Sequence, residues 1–590
     1  MSKVIAKTFI HSCYNPSTKD GDCVTICEHV YYDDGRVEPH LRFVVNPKRT
    51  YYITKKPLRS LHESKKEREH INNLDRYVCS NKALIPNIYS KLTGKPPMNY
   101  PKGRQLMREL VYTSPYVYGG GLGIESLIKI KYAKDFEKTG LELAPITSGM
   151  FDLEISINPD TEGQLLCFTL THENKVYTAI NQSWMTRYKN GKHEKISLEE
   201  IINLSQKTIL PLLESAFKEN KNLSLVSDKL PLEFHYFTSD DEVEMIKWGF
   251  SKAHENKTIF IGGWNINYDI SQLMRILQEN DVKCEDVFSH PSVPEKYRYF
   301  SFKEDKKKVN HHTEKWHWYS GTAMFQFIDL MALYSRLRTV EGKEYSYKLD
   351  YILNKNGLGG KVHWEELSDV NHLEGTADWH RKMAKDHFAE YVVYNQWDSI
   401  SLQLLEWLNN DETALRILSS YTPIEKFPRQ TIKIQDMLFA EWKDQGWIIG
   451  TSSPDMEEED DDELLNKGGA VLDMLRIENC GIKLFKENPT FRSQVHTFVS
   501  DTDFSQMYPT VIVCGNISSE TRVSTVHNVI GEHISVHKDS LIELLHSYLI
   551  SIRDNAYNLG VDYLNLPNYQ SMLEKYDEHK TKNEISDLSF

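Results

Sequence analysis

The chain has 590 residues and a formal net charge of −14, with 40% hydrophobic and 26% charged residues, which is typical of a soluble globular protein. It is too long for a single core and is expected to form roughly three to five domains. The negative charge argues against a protein coated in basic surface, although a local basic groove would still suit a nucleic-acid enzyme.

The N-terminus carries no secretory signal, and no apolar run is long enough to span a bilayer, so no membrane partner is expected. Eight cysteines are scattered without a C-x-x-C pair, which indicates neither a zinc ribbon nor a disulfide framework. We therefore expect a reducing, cytoplasmic compartment.

Residues 1–140 alternate short β-type runs with turns and predict an N-terminal α+β domain. Its glycine-rich segment Ser114–Gly121 resembles a phosphate-binding loop at first sight. The segment lacks the Lys-Ser/Thr that follows such a loop in P-loop proteins. We interpret it as a structural turn.

An acidic strand is predicted at Phe151–Ser156, where Asp152 and Glu154 interrupt an apolar run. Side chains two residues apart on a strand share a face, so both acids point the same way. Two neighbouring carboxylates repel each other and lose solvation unless a cation neutralises them, which predicts a divalent metal held by oxygen ligands. An exposed edge strand with alternating acids is the structural alternative.

Further elements follow from capping residues and apolar periodicity. Strands are expected at Leu165–Leu170 and Val176–Ile180, and helices at Ser197–Ser215, Ser239–Asn256, Ile270–Leu277 and Tyr391–Leu408. Asp269 follows the apolar strand at Thr258–Ile261 and lies at a strand-to-helix junction, a common position for ligand residues. It could instead be a helix cap.

The segment Tyr297–Trp318 mixes aromatic residues with three histidines and with Lys306, Lys307 and Lys308. Basic and aromatic side chains in this arrangement suit contact with single-stranded DNA through charge and stacking. A solvated hairpin without a function is the alternative, and the histidine spacing fits no standard zinc site. Asp329 is expected to cap a helix, and the alternative is an additional acidic residue of the functional site.

Tyr394 and Asp398 lie at i and i+4 on the predicted helix Tyr391–Leu408, so they share one face. An acid on an apolar face needs a partner. The structural alternative is a solvated Asp398 beside a core Tyr394. Helical pattern continues to about Gly446 and leads into the acidic run Asp455–Glu463, which is typical of a disordered, self-repelling loop.

The segment Phe498–Ser518 predicts a strand that ends at Asp503, a turn, and an apolar helix opened by Tyr508-Pro509. In the structural alternative, Asp503 merely caps that helix.

Three of these segments resemble the exonuclease motifs of family B DNA polymerases, in the order and approximate spacing of that family. They are Phe151–Glu154, Gly263–Asp269 and Tyr394–Asp398. The resemblance implies an α/β, multidomain chain with an RNase H-like 3′–5′ exonuclease domain.

By this resemblance two Mg²⁺ or Mn²⁺ ions are held by the carboxylates of Asp152, Glu154, Asp269 and Asp398. Tyr394 would orient the attacking water. The second motif has two residues between Asn265 and the Tyr-Asp pair where the family has three, and Asn265 is expected to contact DNA. Two such ions stabilise the attacking and leaving oxygens in phosphodiester hydrolysis.

Two later segments extend the resemblance towards tailed-phage members of the family. Lys467–Ala470 is similar to a linker motif, so Gly468 and Gly469 are expected to contact DNA. Asp503–Tyr508 is similar to the first palm motif, with Gln506 in place of Ser. Asp503 would hold a palm metal ion, and Tyr508 would select deoxynucleotides. The dNTP-binding residues would be Phe504, Ser505, Gln506, Met507 and Tyr508.

The second palm acid and the finger motif of the family are missing from Ser518–Phe590. The expectation is therefore the N-terminal part of a split replicative polymerase. Its partners would be primer-template and single-stranded DNA, dNTP, a second polypeptide with the remaining motifs, and other replisome proteins. A stand-alone exonuclease with a vestigial palm and a non-catalytic DNA-binding scaffold are the alternatives.

The corresponding domains are an N-terminal domain at 1–140, the exonuclease at 141–410, a helical linker with the acidic loop at 411–464, and a partial palm with the start of the fingers at 465–590.

Overall fold

The computed structural model describes residues 2–61, 66–306, 309, 311–339 and 342–451, followed by two short strands and isolated residues between 522 and 577. The chain is a mixed α/β protein. It divides into two compact units, Met1–Gly468 and Gly469–Phe590. The described part of the second unit contains an antiparallel strand pair at Arg522–His527 and His533–His537.

The first 140 residues form two small sheets and three helices. Their strands are β1 Val4–Thr18, β2 Gly21–Tyr32, β3 Val37–Val45, β4 Lys48–Thr54, β5 Arg68–His70, β6 Leu74–Ser80 and β7 Val117–Tyr118. Their helices are α1 Leu84–Thr93, α2 Pro101–Thr113 and α3 Ile124–Glu137. The strand orders are β1-β2-β3 and β6-β4-β7.

The central region contains the largest sheet of the described residues. Its strands and hairpins are β8 Ser148–Ile155, β9 Leu165–His172, β10 Lys175–Asn181, β11 Thr186–Lys189, β12 Lys192–Lys195, β13 Glu233–Ser239, β14 Phe260–Gly263, β15 Phe300–Lys303, β16 Trp318–Gly321 and β17 Gln326–Asp329. Its helices are α4 Leu198–Glu219, α5 Glu242–Glu255, α6 Ile266–Glu279, α7 Cys284–Phe288, α8 Leu330–Leu337, α9 Leu349–Lys355, α10 Ala377–Asp386 and α11 Phe388–Asn409.

Six strands are ordered β13-β10-β9-β8-β14-β17. The pairs β8–β9 and β9–β10 are antiparallel, whereas β8–β14, β14–β17 and β10–β13 are parallel. The acidic strand β8 therefore lies inside the sheet, and the alternative of an exposed edge strand is wrong.

Helices cover both faces of this sheet. Phe151, Leu153 and Ile155 pack in one core with α5 and α6, as the apolar residues of those helices show. Met150 joins the opposite core with α4 and α11. Because strand side chains alternate between faces, Asp152 and Glu154 point towards α11.

The remaining described elements return the chain to the N-terminal region. They are α12 Asp411–Leu418, α13 Gln430–Asp444 and β18 Trp447–Ile449. Strand β18 pairs antiparallel with β5, and α13 contacts α3. The acidic run 455–463 lies outside the described residues.

Candidate functional site

The acids of β8 meet donors from α11. Asn395 donates to Asp152 Oδ2 at 2.7 Å, and the Tyr391 hydroxyl donates to Glu154 Oε2. Burial raises the pKa of Asp152 to about 7, and the charge of Asp398 acts in the same direction. Burial followed by the charge of Asp152 raises the pKa of Glu154 well above its ordinary value.

Asp269 joins this cluster from helix α6, which follows strand β14 in the chain. That strand runs parallel to β8, and its carboxyl end leads through Asn265, in a left-handed conformation with φ 62°, into α6. Because α6 begins at Ile266, Asp269 lies inside its first turn and not at the cap position. Asp269 is buried, and burial followed by the charges of Asp152 and Glu154 raises its pKa well above the ordinary value.

Tyr394 and Asp398 are both buried on α11. Lys361, which the sequence did not single out, donates to the Tyr394 hydroxyl at 2.6 Å and also to Asp398 Oδ2. Burial opposes the charged ammonium, but Asp398 and Tyr394 outweigh it and raise the pKa of Lys361 well above its usual range. The lysine therefore stays charged between these two groups.

A second, partly buried contact supports Glu154. His380 Nδ1 lies 2.8 Å from the Tyr391 hydroxyl, which in turn donates to Glu154. Burial lowers the pKa of His380 to about 4, so the imidazole is neutral near pH 7.

The four predicted acids thus act on one another, although they come from three distant segments. As placed, no three His, Cys, Asp or Glu side chains within the described ranges stand close enough to ligate one metal ion. Each of three acids is instead engaged by a neighbouring donor: Asp152 by Asn395, Glu154 by Tyr391, and Asp398 by Lys361.

The donor set nevertheless fits hard divalent cations. Ionisation of all four acids would leave excess negative charge beside the single ammonium group of Lys361, and a divalent cation would neutralise it. Asp398 Oδ1 is buried and has no hydrogen-bond partner in the described part of the chain. An oxygen left in this state is a suitable metal ligand.

A cavity of about 1090 Å³ adjoins the cluster and is lined by Tyr394, Lys361 and Asn265. Its wall also contains aromatic side chains, among them Trp264, Tyr345, Tyr347 and Trp379, and basic ones, among them Lys343 and Lys348. Aromatic faces and cations together suit a polyanion that carries flat bases.

The predicted hairpin borders this cavity. Strands β15 and β16 pair antiparallel, and His311 and His312 from the loop between them line the cavity wall. Lys306 is exposed, whereas Lys307 and Lys308 lie outside the described residues. His317 accepts a hydrogen bond from the Asp305 amide at 3.4 Å. The rings of His311 and His312 instead contact each other, tilted by 34°.

Asp329 is a helix cap. Its carboxylate accepts from the Ala332 amide at 3.1 Å and so caps α8. Burial raises the pKa of Asp329 to about 6, and its charge also acts on Asp269.

The remaining predicted site residues lie outside the described part of the chain. They are Gly468, Gly469, Asp503, Phe504, Ser505, Gln506, Met507 and Tyr508.

Comparisons with known proteins add no family assignment: no family model matches the chain, and no curated protein is significantly similar to it. In the part of the chain that the structure describes, every helix is too short or too polar to cross a bilayer.

Proposed function

We propose that this chain is a two-metal 3′–5′ exonuclease of the proofreading type, built on an RNase H-like domain and related to family B DNA polymerases. The observation that carries the proposal is the convergence of four acids beside the central strand: Asp152 and Glu154 on β8, Asp269 on α6 and Asp398 on α11, each within electrostatic reach of another. Carboxylates at this density are costly without a cation, which favours a catalytic role over a structural one.

The sheet topology supports the RNase H-like assignment. An antiparallel meander of β8, β9 and β10 is extended by parallel strands on both sides, and helices cover both faces. In this arrangement the acids stand on the central strand β8 and on helices that pack beside it.

The chemistry would be hydrolysis of the terminal phosphodiester. Two divalent ions held by the four acids would supply charge for the attacking and leaving oxygens. The Tyr394 hydroxyl would orient the water. Lys361 donates to both Tyr394 and Asp398, which fixes the hydroxyl and adds positive charge where the transition state gains negative charge.

The cavity favours a single strand as the substrate. Trp264 and Tyr347 offer faces for bases, and Lys348 offers a charge for a phosphate. Lys343 is paired with Glu314 at 2.8 Å, and the wall also carries acids. A duplex pairs its bases internally and could not present them to these rings. The expected substrate is thus an unpaired 3′ end of DNA.

The polymerase part of the proposal depends on Asp503 and Tyr508, which lie outside the described residues. We propose that nucleotide incorporation requires a second polypeptide carrying the remaining palm and finger motifs. Incorporation of dNTP with that polypeptide, and its absence without it, distinguishes this role from that of a stand-alone exonuclease.

Degradation of 5′-labelled single-stranded DNA in Mg²⁺ tests the nuclease proposal. Asp152→Asn and Asp398→Asn should each slow removal of 3′ nucleotides by at least about two orders of magnitude, while DNA binding largely survives. Asp160→Asn changes an exposed acid beyond the end of β8 and should leave the rate unchanged. Wild-type degradation by both site variants would contradict the proposal.

A further inference from the structure

A second cavity, of about 340 Å³, lies in the N-terminal region and shares no residue with the carboxylate cluster or its cavity. It is enclosed by β4, α3 and α13. Its size is at the lower end of the range of ligand pockets, which is about 300–1,000 Å³. Nothing in the proposed exonuclease uses it.

Arg49 from β4 lines this cavity and is 7% exposed. Its guanidinium donates to neutral acceptors: the Gly120 carbonyl at 2.7 Å, the Leu122 carbonyl, and Asn81 Oδ1 at 3.2 Å. Among the described residues no carboxylate forms an ion pair with it, and its Nε has no acceptor. Arg49 is linked to the carboxylate of Asp22 only indirectly, because Asn81 lies between them and donates to Asp22 at 3.3 Å.

A buried guanidinium without a counter-charge is energetically costly. Burial accordingly lowers the pKa of Arg49 to about 10. Part of its role is structural, because Arg49 holds the turn Ser114–Gly121 through the Gly120 carbonyl. The free Nε and the uncompensated charge remain unexplained by that role.

Further cations surround the arginine. The basic residues of the wall are Lys48, Arg49, Lys131, Lys134 and Lys443, and the acidic ones are Asp135 and Asp444. Both acids form ion pairs with lysines other than Lys48, Lys131 and Lys443: Asp444 lies 3.1 Å from Lys134, and Asp135 lies 3.7 Å from Lys138.

Lys134 is likewise engaged, by Glu441 at 2.9 Å and Glu137 at 3.8 Å. In contrast, Lys48, Lys131 and Lys443 are exposed and have no carboxylate within ion-pair distance in the described ranges. Three elements therefore present unneutralised positive charge around one cavity, on a chain whose net charge is −14.

The rest of the wall is apolar and partly aromatic, with Tyr52, Leu127, Ile130 and Phe439. We propose that this cavity binds the phosphate group of a small phosphorylated molecule. The ammonium groups of Lys48, Lys131 and Lys443 hold the phosphate, and the buried charge of Arg49 adds attraction from the wall without direct contact. The apolar residues hold the attached body. A nucleoside monophosphate has this chemistry. The proposal does not depend on the exonuclease assignment.

Calorimetric titration of the full chain with AMP and with inorganic phosphate tests this, in EDTA so that the carboxylate cluster holds no metal. We expect saturable AMP binding that weakens at least about tenfold in the double variant Lys131→Glu, Lys443→Glu. Lys102→Glu with Lys189→Glu makes the same charge change at exposed positions outside the cavity and should leave the affinity near that of the wild type.

Absence of AMP and phosphate binding at millimolar concentrations, or equal loss in both double variants, would overturn the proposal. Binding of a single-stranded oligonucleotide without binding of AMP would assign the surface to nucleic-acid backbone and would also overturn it. Because both lysines are exposed, the double variant should fold, which a wild-type melting temperature would verify. Arg49→Met, checked for a wild-type melting temperature, should weaken binding of both probes, because the positive charge behind the cavity wall is lost.

Discussion

At the scale of single residues, the site depends on donors that hold carboxylates apart from one another. Lys361, Tyr391 and Asn395 each engage a different acid. These contacts limit the free rotation of buried like charges. Each contact also fixes the direction of one carboxylate, as outer hydrogen-bond partners do for metal ligands.

Removal of the Tyr391 hydroxyl tests whether such a donor supports the function of the acid that it contacts. Tyr391→Phe keeps the buried ring but deletes the donor to Glu154. We expect the Mn²⁺ concentration for half-maximal exonuclease rate to rise roughly 10–100-fold, because an outer ligand contact is lost. This concentration is obtained by measuring the exonuclease rate over a series of Mn²⁺ concentrations.

Tyr188→Phe is the matched control, since Tyr188 is exposed on β11 and distant in sequence from the motifs. Its Mn²⁺ dependence should equal that of the wild type. An unchanged Mn²⁺ requirement in Tyr391→Phe would show that this hydroxyl does not support the metal ligand.

The motif resemblance picked out the four acids, but no sequence pattern pointed to Lys361 or His380 as their neighbours. Asp152 and Glu154 were visible because acids are unexpected in an apolar strand. Lys361 lies in a loop after Gly360, where no periodicity marks a lysine that folds back onto α11. His380 reaches Tyr391 only because α10 packs beside α11.

At the scale of elements, α11 organises the site. Nearly all its residues are buried, from Phe388 to Trp407, so no polar face shows in its sequence. The predicted helix Tyr391–Leu408 was correct in position, and the observed helix extends it slightly at both ends. A helix buried all round must satisfy its polar groups internally, as Gln396 does with Thr178 at 3.0 Å.

The packing of α5 on the sheet gives a second prediction. A Cβ added at Gly249 would lie 1.9 Å from Phe168 Cε1 on β9. Alanine favours helix by about 1 kcal/mol over glycine, but overpacking typically costs about 1–3 kcal/mol. Gly249→Ala should therefore lower the free energy of unfolding, as measured by urea denaturation.

Lys247→Ala provides the comparison, because Lys247 is exposed on the same helix. It should change the unfolding free energy by less than about 0.5 kcal/mol. If Gly249→Ala stabilised the protein, the prediction would be wrong, because helix α5 could then move away from β9 without a loss of packing energy.

At the scale of the whole molecule, a buried acid links stability to pH. Glu412 is 1% exposed, accepts from Ser148 at the start of β8, and has one oxygen without a partner in the described structure. Burial raises its pKa from the ordinary 4.5 to about 8. The fold therefore favours the protonated form, and this stabilisation is complete below about pH 4.5 and lost as pH rises through about 8.

Glu412→Gln mimics the protonated acid at every pH. It should match the wild type near pH 5 and exceed it near pH 8.5 by about 1–3 kcal/mol in unfolding free energy. Urea denaturation at both pH values measures the difference. Glu214→Gln, on an exposed part of α4, should show no such dependence, and equal pH profiles for Glu412→Gln and the wild type would refute the assignment.

The sequence predicted the order of elements better than their assembly. Alternation and caps located β8, β9, β10, α4 and α5 close to their observed bounds. Pairings between distant segments have no local sequence signal. An example is the pairing of β18 with β5, which are separated by more than half the chain. The cavity beside Tyr394 combines side chains from loops far apart in sequence, which no periodicity encodes.

The central claim is that Asp152, Glu154, Asp269 and Asp398 share two divalent ions. Anomalous diffraction from crystals grown with Mn²⁺ measures this most directly. We expect two manganese peaks about 3.5–4 Å apart, ligated by these four carboxylates. Manganese bound elsewhere, with Asp398 still paired to Lys361 and no peak between the acids, would contradict the account.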